Sequence, residues 1–255
     1  YIIYNMNNNV LFIDKYTPKT LNKFYLPTDI HNSINILIQS DCLNTLLIGS
    51  MGTGKTSILH SIVKEYYSGT DEKIYMQNVL YINNLHDQGI NYYRSEVKTF
   101  CQTHSFVRGK KKIIMIDDID EINEQSQQVF RNCIDKYSHN VCFLATCTNG
   151  QKVIESIQSR LTIIKLPIID TTIMYQVLEE IIQTENITID NRAKEFIVSI
   201  SNNTIKNVIN YLEKCKLLNK DITYDIALSI CSDIDLYTFE QYTEYIKSGN
   251  LKEAI

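Results

Sequence analysis

The residues in this 255-residue chain with the clearest chemical meaning are GSMGTGKT at positions 49–56. They fit the pattern G-x-x-x-x-G-K-[ST], in which the backbone amides of a glycine-rich loop curl around phosphate groups. The apolar run TLLIG precedes the loop and the amphipathic run SILHSIVKEYY follows it, so strand, loop and helix occur in the required order. The residues predicted to bind a nucleotide here are Gly49, Gly52, Thr53, Gly54, Lys55, Thr56 and Ser57.

Two side chains of this loop have specific expected roles. Lys55 should reach the β- and γ-phosphates of ATP, and the hydroxyl of Thr56 should hold Mg²⁺. The N-terminus of the following helix adds the positive end of its dipole, which also favours phosphate. The alternative is a glycine-rich turn without function, and the ordered strand, loop and helix argue against it.

A second segment, the acidic IIMIDDID at residues 113–120, is the expected partner of a phosphate loop in an ATPase. Its apolar half predicts a buried strand, and its acids follow where that strand ends. Asp117 is the predicted Mg²⁺ ligand, and Asp118 is predicted to polarise the attacking water. Asp120 is interpreted as a helix start or a solvated charge. Acids after a strand also commonly cap the next helix, and this alternative stays open for Asp118.

The hydrophobic pattern predicts an α/β domain followed by helices. Short β-branched runs alternate with stretches of helical period, which predicts a parallel sheet covered by helices on both faces. After Pro167 only helical patterns occur. The predicted strands are residues 45–49, 79–82, 113–117, 141–147 and 162–166, and the predicted helices of the second part are residues 171–184, 190–201, 204–218 and 223–231.

Composition excludes several classes of protein. Hydrophobic residues make up 44% and charged residues 21%, which is typical of a globular protein rather than a disordered or fibrous one. No apolar run approaches the length that spans a bilayer, so we expect an intracellular protein without a membrane partner. The formal net charge of −4 argues against a chain that grips nucleic acid alone through a strong basic field.

Further collinear segments make the chain similar to the small subunits of replication factor C, the AAA+ clamp loader that opens sliding clamps and closes them around primed DNA. The segments that carry the resemblance, between residues 12 and 212, are FIDKYTPKTLNKF (12–24), YINNLHDQGINYYRSEVKTFCQ (81–102), SQQVFRNCIDKYS (126–138), VIESIQSRL (153–161) and NTIKNVINYL (203–212). The resemblance implies an AAA+ P-loop NTPase αβα domain over 1–168 and a helical lid over 169–235. Residues 236–255 then begin a collar domain that is cut short.

The resemblance also assigns roles around the nucleotide. Tyr16 and Pro18 fall where the family lines the adenine pocket. Thr148 matches the first sensor position, and Asn149 stands beside it, so that either polar group could orient the hydrolytic water.

Two basic residues extend these implied roles. Arg160 matches the arginine finger, which reaches in trans into the ATP site of a neighbouring subunit. Its alternative is a surface arginine in an ion pair. Lys206 matches the second sensor, which couples the nucleotide to the lid.

The family further implies partners for this chain: other clamp-loader subunits in a ring, here a hetero-pentamer, a sliding clamp, and primer-template DNA. Arg94 and Lys98 lie four residues apart in a predicted helix over 92–104 and are expected to track DNA phosphates from one helix face. The solvated-face alternative stays open for both. The site of action is then the nucleus or a cytoplasmic replication site, including a viral one.

Departures from the family pattern leave two alternatives to an ordinary loader subunit. Asp118 stands where the family has a catalytic Glu and is one methylene shorter, so we expect slow hydrolysis. The chain could instead bind ATP idly and donate Arg160 to an active neighbour, or belong to another AAA+ DNA motor or initiator. The run Lys110–Lys112 is interpreted as a solvated entrance to the central strand, with a nuclear-import patch as the alternative.

Overall fold

A computed structural model describes residues 10–83, 92–231 and 236–247 of the chain. The chain divides into two compact units, one formed by residues 18–168 and the other by residues 1–17 together with 169–255. We call them the sheet unit and the helical unit and describe each by itself. Within the described ranges, no helix is both long and apolar enough to cross a membrane.

The sheet unit contains the predicted parallel sheet. Its described strands pair side by side in the order β2-β3-β4-β1-β5, and every pairing is parallel. The bounds differ from the predicted ones by at most one residue at an end. The strands are β1 Thr45–Ile48, β2 Val79–Ile82, β3 Lys112–Ile116, β4 Val141–Cys147 and β5 Thr162–Lys165.

Both faces of this sheet are buried, because successive strand residues point into two different cores. Leu46 packs with Ile114 in one core, whereas Leu47 packs with Ile113 in the other. Helices Thr28–Gln39 and Lys55–Tyr66 contribute to the core that contains Leu47. Helix Glu124–Tyr137 and the helical segment of residues 93–102, before β3, contribute to the opposite core. The double layer of helices confirms the predicted αβα arrangement.

Shorter elements complete the sheet unit. The predicted helix over 92–104 is a π-helical turn that continues into an α-helix and ends at Gln102. The other short helices are Glu72–Tyr75 and Glu155–Gln158, and the 3₁₀ turns are Leu21–Lys23, Met76–Asn78, Ile119–Glu121 and Gly150–Lys152.

The amino-terminal end of β3 contradicts the prediction for the Lys110–Lys112 run. Lys112 is buried rather than solvated, with 1% of its surface exposed. Its ammonium donates to the carbonyl of Phe100 at 2.8 Å and to the hydroxyl of Thr103, and it lies 3.7 Å from the centre of the Phe100 ring. The side chain therefore closes the end of the 98–102 helix, where unpaired carbonyls need donors.

The helical unit follows the predicted pattern closely. Apolar positions at three- and four-residue spacing bury one stripe of each of the four helices between residues 171 and 231 in a shared core that includes Met174, Leu178, Ile197 and Leu212. Asp170 and Asp190 occupy N-cap positions. The helices are Thr171–Glu185, Asn191–Ile200, Ile205–Leu218, Tyr224–Cys231 and Leu236–Lys247.

A short N-terminal helix, Phe12–Tyr16, packs in the helical unit. The Phe12 amide donates to Glu213 at 3.0 Å, and the Tyr16 hydroxyl donates to Glu185 at 2.5 Å. Sequence patterns gave no sign of this contact, since they placed residues 1–168 in a single domain. The boundaries 1–168, 169–235 and 236–255 remain a proposal.

Candidate nucleotide-binding site

The loop between β1 and the helix Lys55–Tyr66 needs glycine for reasons visible in its backbone. Gly52 and Gly54 have φ of 80° and 81°, in the left-handed region that residues with a Cβ rarely adopt. A Cβ added at Gly49 would lie 2.7 Å from the Thr53 hydroxyl oxygen. The Thr53 hydroxyl itself donates to the carbonyl of Ser50 at 2.9 Å. The spacing of the motif is therefore a requirement of the loop's shape.

Lys55 lies at the mouth of this loop with its side chain largely buried. Its ammonium donates to the carbonyls of Gly49 at 3.0 Å and Ser50 at 3.2 Å, and to the hydroxyl of Thr148 at 3.1 Å. All three acceptors are neutral, so they satisfy hydrogen bonds without cancelling the positive charge. A buried cation whose direct hydrogen-bond partners are all neutral favours an anionic ligand. Ser57 follows in the first helical turn and is half-buried.

Thr56 and Asp117 meet where the helix begins and β3 ends. The Thr56 hydroxyl donates to both carboxylate oxygens of Asp117, at 3.1 and 2.9 Å. A hydroxyl and a carboxylate are the hard oxygen ligands that Mg²⁺ prefers. The two residues predicted to hold the metal are thus in direct contact, and their donor atoms fit that ion.

Asp118 lies beside them in an unusual backbone conformation. Its φ of 50° and ψ of 57° place it in the left-handed region, which is uncommon for a residue with a side chain and is frequent at functional sites. Its amide donates to the Thr146 hydroxyl at 2.9 Å. Burial, followed by the nearby charge of Asp117, raises the pKa of the Asp118 carboxyl. A carboxylate with a raised pKa is a stronger base than an ordinary aspartate.

Asp120 lies in the first turn of the 3₁₀ segment Ile119–Glu121, as the helix-start interpretation predicted, but it is not a solvated charge. Its side chain is buried, with 8% of the residue exposed, and one carboxylate oxygen accepts from the amides of Thr148 at 3.2 Å and Asn149 at 2.8 Å. It therefore holds the segment that carries the predicted sensor. The signal in the sequence was a third acid spaced two residues beyond the strand-end pair.

The same contacts separate the two sensor candidates. The Thr148 hydroxyl accepts from Lys55, at the phosphate loop. The Asn149 side chain instead accepts from the amide of Gln151 at 3.0 Å and so caps the next 3₁₀ turn. Of these two side chains, only that of Thr148 forms a hydrogen bond to a residue of the loop within the described chain.

Gln127 is a buried junction that sequence reasoning did not single out. Its amide nitrogen donates to the carbonyls of Ile122 at 2.9 Å and Lys152 at 3.0 Å, and its oxygen accepts from the amide of Ile154 at 2.9 Å. One side chain thereby ties the segment after β3 to the segment that leads to Arg160.

Arg160 is held by its own chain, away from the phosphate loop. Its guanidinium donates to Asp135 through Nε and to the carbonyl of Ser156 at 2.6 Å through one terminal nitrogen. The hydrogen bond from Arg160 lowers the pKa of the Asp135 carboxyl. None of these partners belongs to residues 49–56, and the role in trans stays a prediction.

Arg94 and Lys98 are both exposed and line one groove of about 370 Å³ beside helix Glu124–Tyr137. Lys136 contributes a third cation to the same groove. The spacing of four residues does bring the first two together, across the π-helical turn. Contact with DNA stays a prediction.

The remaining predicted residues are not brought to this site by the described contacts. Tyr16 belongs to the helical unit, where its hydroxyl is bonded to Glu185, and Pro18 opens the sheet unit half-buried. Lys206 is exposed on the first turn of the Ile205–Leu218 helix. Their roles toward adenine and phosphate stay predictions.

Comparison with known proteins agrees with this geometry. The model of the ATPase family associated with various cellular activities (AAA) matches residues 45–167. A protein of Acanthamoeba polyphaga mimivirus named as a replication factor C small subunit is 30% identical over 250 residues, which cover 98% of this chain and 77% of the relative. A Methanococcus maripaludis replication factor C small subunit is 26% identical, over 95% of this chain and 76% of its own length.

Solved structures agree on the fold. The Holliday junction branch migration motor RuvB of Thermotoga maritima superimposes with a TM-score of 0.64 at 15% identity, over 92% of this chain and 80% of that one.

Among the sequence relatives, human replication factor C subunit 5 is 28% identical over 216 residues, which are 84% of this chain and 63% of the human protein. From the AAA match and the length of these alignments, the chain belongs to the replication factor C small-subunit family of AAA ATPases.

Proposed function

We propose that this chain binds ATP with Mg²⁺ at the Lys55–Thr56 loop and hydrolyses it as one subunit of a clamp loader. The observation that carries the proposal is the convergence of side chains from three strand ends. Lys55 and Thr56 follow β1, Asp117 follows β3, and Thr148 follows β4. Hydrogen bonds join Lys55 to Thr148 at 3.1 Å and Thr56 to Asp117 at 2.9 and 3.1 Å. Open parallel sheets bind ligands outside the carboxyl ends of their strands.

In this proposal each group acts on a different part of the nucleotide. The ammonium of Lys55 and the helix N-terminus attract the phosphates, because both are positive and the neutral partners of Lys55 leave its charge available. Thr56 and Asp117 would hold Mg²⁺, which neutralises charge that develops on the phosphoryl oxygens. Adenine would contact Tyr16 and Pro18, and Lys206 would report on the phosphates from the lid.

Hydrolysis then depends on the residues that follow Asp117. Asp118 would polarise the attacking water, with Thr148 as the sensor that contacts Lys55. Because aspartate is shorter than the glutamate of the family, the carboxylate would stand about 1 Å farther from the water, and a misplacement of that size can cost about a hundredfold in rate. We therefore propose a slow ATPase.

The proposal extends to assembly. Arg160 would complete the ATP site of a neighbouring subunit in a hetero-pentameric ring, where its planar cation stabilises charge on the γ-phosphate. The ring would grip a sliding clamp and primer-template DNA while ATP is bound, and would release them after hydrolysis. Arg94 and Lys98 would contact DNA phosphates, and several subunits together would supply the basic field that one acidic chain lacks. The work would take place in the nucleus or at a cytoplasmic, including viral, replication site.

The test is ATP turnover by the complex assembled with its partner subunits, in the presence of clamp and primed DNA. Asp118→Asn should lower turnover about 100-fold while ATP binding persists, since general-base catalysis contributes about that much. Glu121→Gln is the matched control, because Glu121 is an exposed acid three residues further along. Unchanged turnover with Asp118→Asn, combined with its loss in Arg160→Ala, would contradict the proposal and indicate an idle subunit that donates its finger.

A further inference from the structure

The carboxylate of Asp117 is held by hydroxyl groups from both strands that flank β3. The Thr146 hydroxyl, on β4, donates to one of its oxygens at 2.6 Å. The Tyr81 hydroxyl, on β2, donates to the other oxygen at 3.2 Å. Thr146 is fully buried and Tyr81 is 40% exposed. Nothing in the sequence motifs singles out either residue.

Strand register explains why these groups meet. β3 lies between β2 and β4, with Tyr81 opposite Met115 and Ala145 opposite Ile116. Side chains alternate between the two faces along a strand, so Asp117 points to the same face as Met115. Tyr81 and Thr146, the residue after Ala145, point to that face as well. The sheet thus presents one carboxylate between two hydroxyls.

The pattern of bonds also orients the carboxylate. Tyr81 and Thr146 each bond one different oxygen, whereas Thr56 bonds both. A hydroxyl within reach of both oxygens lies toward the open end of a carboxylate, between them. The two strand hydroxyls therefore keep the open end of Asp117 turned toward Thr56, its proposed partner at the metal.

The ring of Tyr81 is itself held in place. It lies 5.4 Å, centre to centre, from the ring of His60, which stands on the helix that begins at Lys55. This contact restricts the position of the phenol ring, and a phenol is a hydrogen-bond donor at neutral pH.

We propose that Tyr81 is a positioning residue for the divalent cation: its hydroxyl, together with that of Thr146, holds the carboxylate of Asp117 in the orientation that binds Mg²⁺ with Thr56. The inference rests on the proposed function, because it assumes the metal site described above. Groups that hydrogen-bond a metal ligand fix its orientation, and their loss commonly weakens metal binding about 10- to 100-fold.

The experiment is a titration of ATP binding against Mg²⁺ by calorimetry, with the Tyr81→Phe variant. Phenylalanine keeps the ring contact with His60 and removes only the hydroxyl. We expect the half-saturating Mg²⁺ concentration to rise about tenfold, while ATP affinity in excess chelator stays unchanged. Tyr25→Phe is the control, because Tyr25 is an exposed tyrosine of the same unit and loses the same atom.

A third variant separates failure of this inference from failure of the metal site. Asp117→Asn should remove the Mg²⁺ dependence of ATP binding. If it does so and Tyr81→Phe binds Mg²⁺ like the unmodified chain, Tyr81 has no positioning role. If Asp117→Asn leaves the Mg²⁺ dependence intact, the metal site is elsewhere and the inference falls with it. Thermal unfolding of each variant verifies that the fold is retained.

Discussion

Two lysines of the sheet unit are buried at opposite ends of its strands. Lys55 stands at the carboxyl-terminal edge and Lys112 begins β3 at the amino-terminal edge. Lys55 donates to two backbone carbonyls and Lys112 to one, and each donates to one threonine hydroxyl, Thr148 for the first and Thr103 for the second. By burial and hydrogen bonding alone the two are alike.

They differ in the helix end that each one faces. Lys55 opens a helix, where the positive end of the dipole adds to its own charge. Lys112 bonds the C-terminal end of the 98–102 helix, where the dipole is negative, and its ammonium lies over the Phe100 ring. The negative helix end and the ring stabilise the charge of Lys112, whereas the positive helix end opposes the charge of Lys55 and favours an anionic ligand there. Of these two buried lysines, therefore, the one beside the positive end of a helix is the candidate for binding an anionic ligand.

Replacing Lys55 should produce the largest effect. Lys55→Ala should weaken ATP binding about 100-fold, or about 2.7 kcal/mol, because it removes a charged hydrogen-bonding group from the phosphates. Calorimetric titration with ATP and Mg²⁺ measures this loss. Lys64→Ala is the matched control, since Lys64 is an exposed lysine on the same helix. Equal affinities in the two variants would contradict the role given to Lys55.

Replacing Lys112 should affect stability instead. Lys112→Met keeps the length of the side chain but leaves the Phe100 carbonyl and the Thr103 hydroxyl without this donor, so the free energy of unfolding should fall by about 2 kcal/mol. Denaturant titration measures it, with the exposed Lys19→Met as control. ATP affinity of the folded protein should not change. If Lys112→Met instead weakened ATP binding and left stability unchanged, the different roles given to the two lysines would be contradicted.

The smallest expected effect is a pH dependence specific to Lys112. Burial lowers the pKa of this amine in the folded chain below its ordinary value of 10.5. Between the two pKa values the unfolded chain binds more protons, so stability rises with pH in that window. The free energy of unfolding of the unmodified chain, minus that of Lys112→Met, should therefore increase as the pH rises from 7 toward 10.5. A difference that stays constant would show that burial does not perturb this lysine.

Prediction from sequence succeeded where neighbouring residues decide the outcome. The strands matched to within a residue because β-branched apolar runs form buried strands wherever they find partners. The phosphate loop was recognisable because its glycines meet backbone requirements within eight residues, as Gly52 and Gly54 show by their positive φ. Thr56 and Asp117, each predicted from its motif as a Mg²⁺ ligand, are in contact, because the strands that precede them end at one edge of the sheet.

Prediction from sequence failed where a side chain has its hydrogen-bond partner far away in the chain. Asp120 was interpreted as a solvated charge, because its acceptor role depends on amides 28 and 29 residues away. Lys112 was taken for a solvated residue, because the helix end that it closes is not visible as a sequence pattern. Tyr81 went unnoticed for the same reason, since its bond to Asp117 depends on strand order.

The sequence by itself determined the α/β class, the phosphate loop and the acids that follow the central strand, since these depend on local spacing and hydrophobic period. Only the tertiary structure decided which buried lysine faces the positive end of a helix, which acid holds the segment that carries Thr148 and which hydroxyls hydrogen-bond Asp117. Those outcomes depend on burial and on the geometry of hydrogen bonds between segments that only the fold brings together.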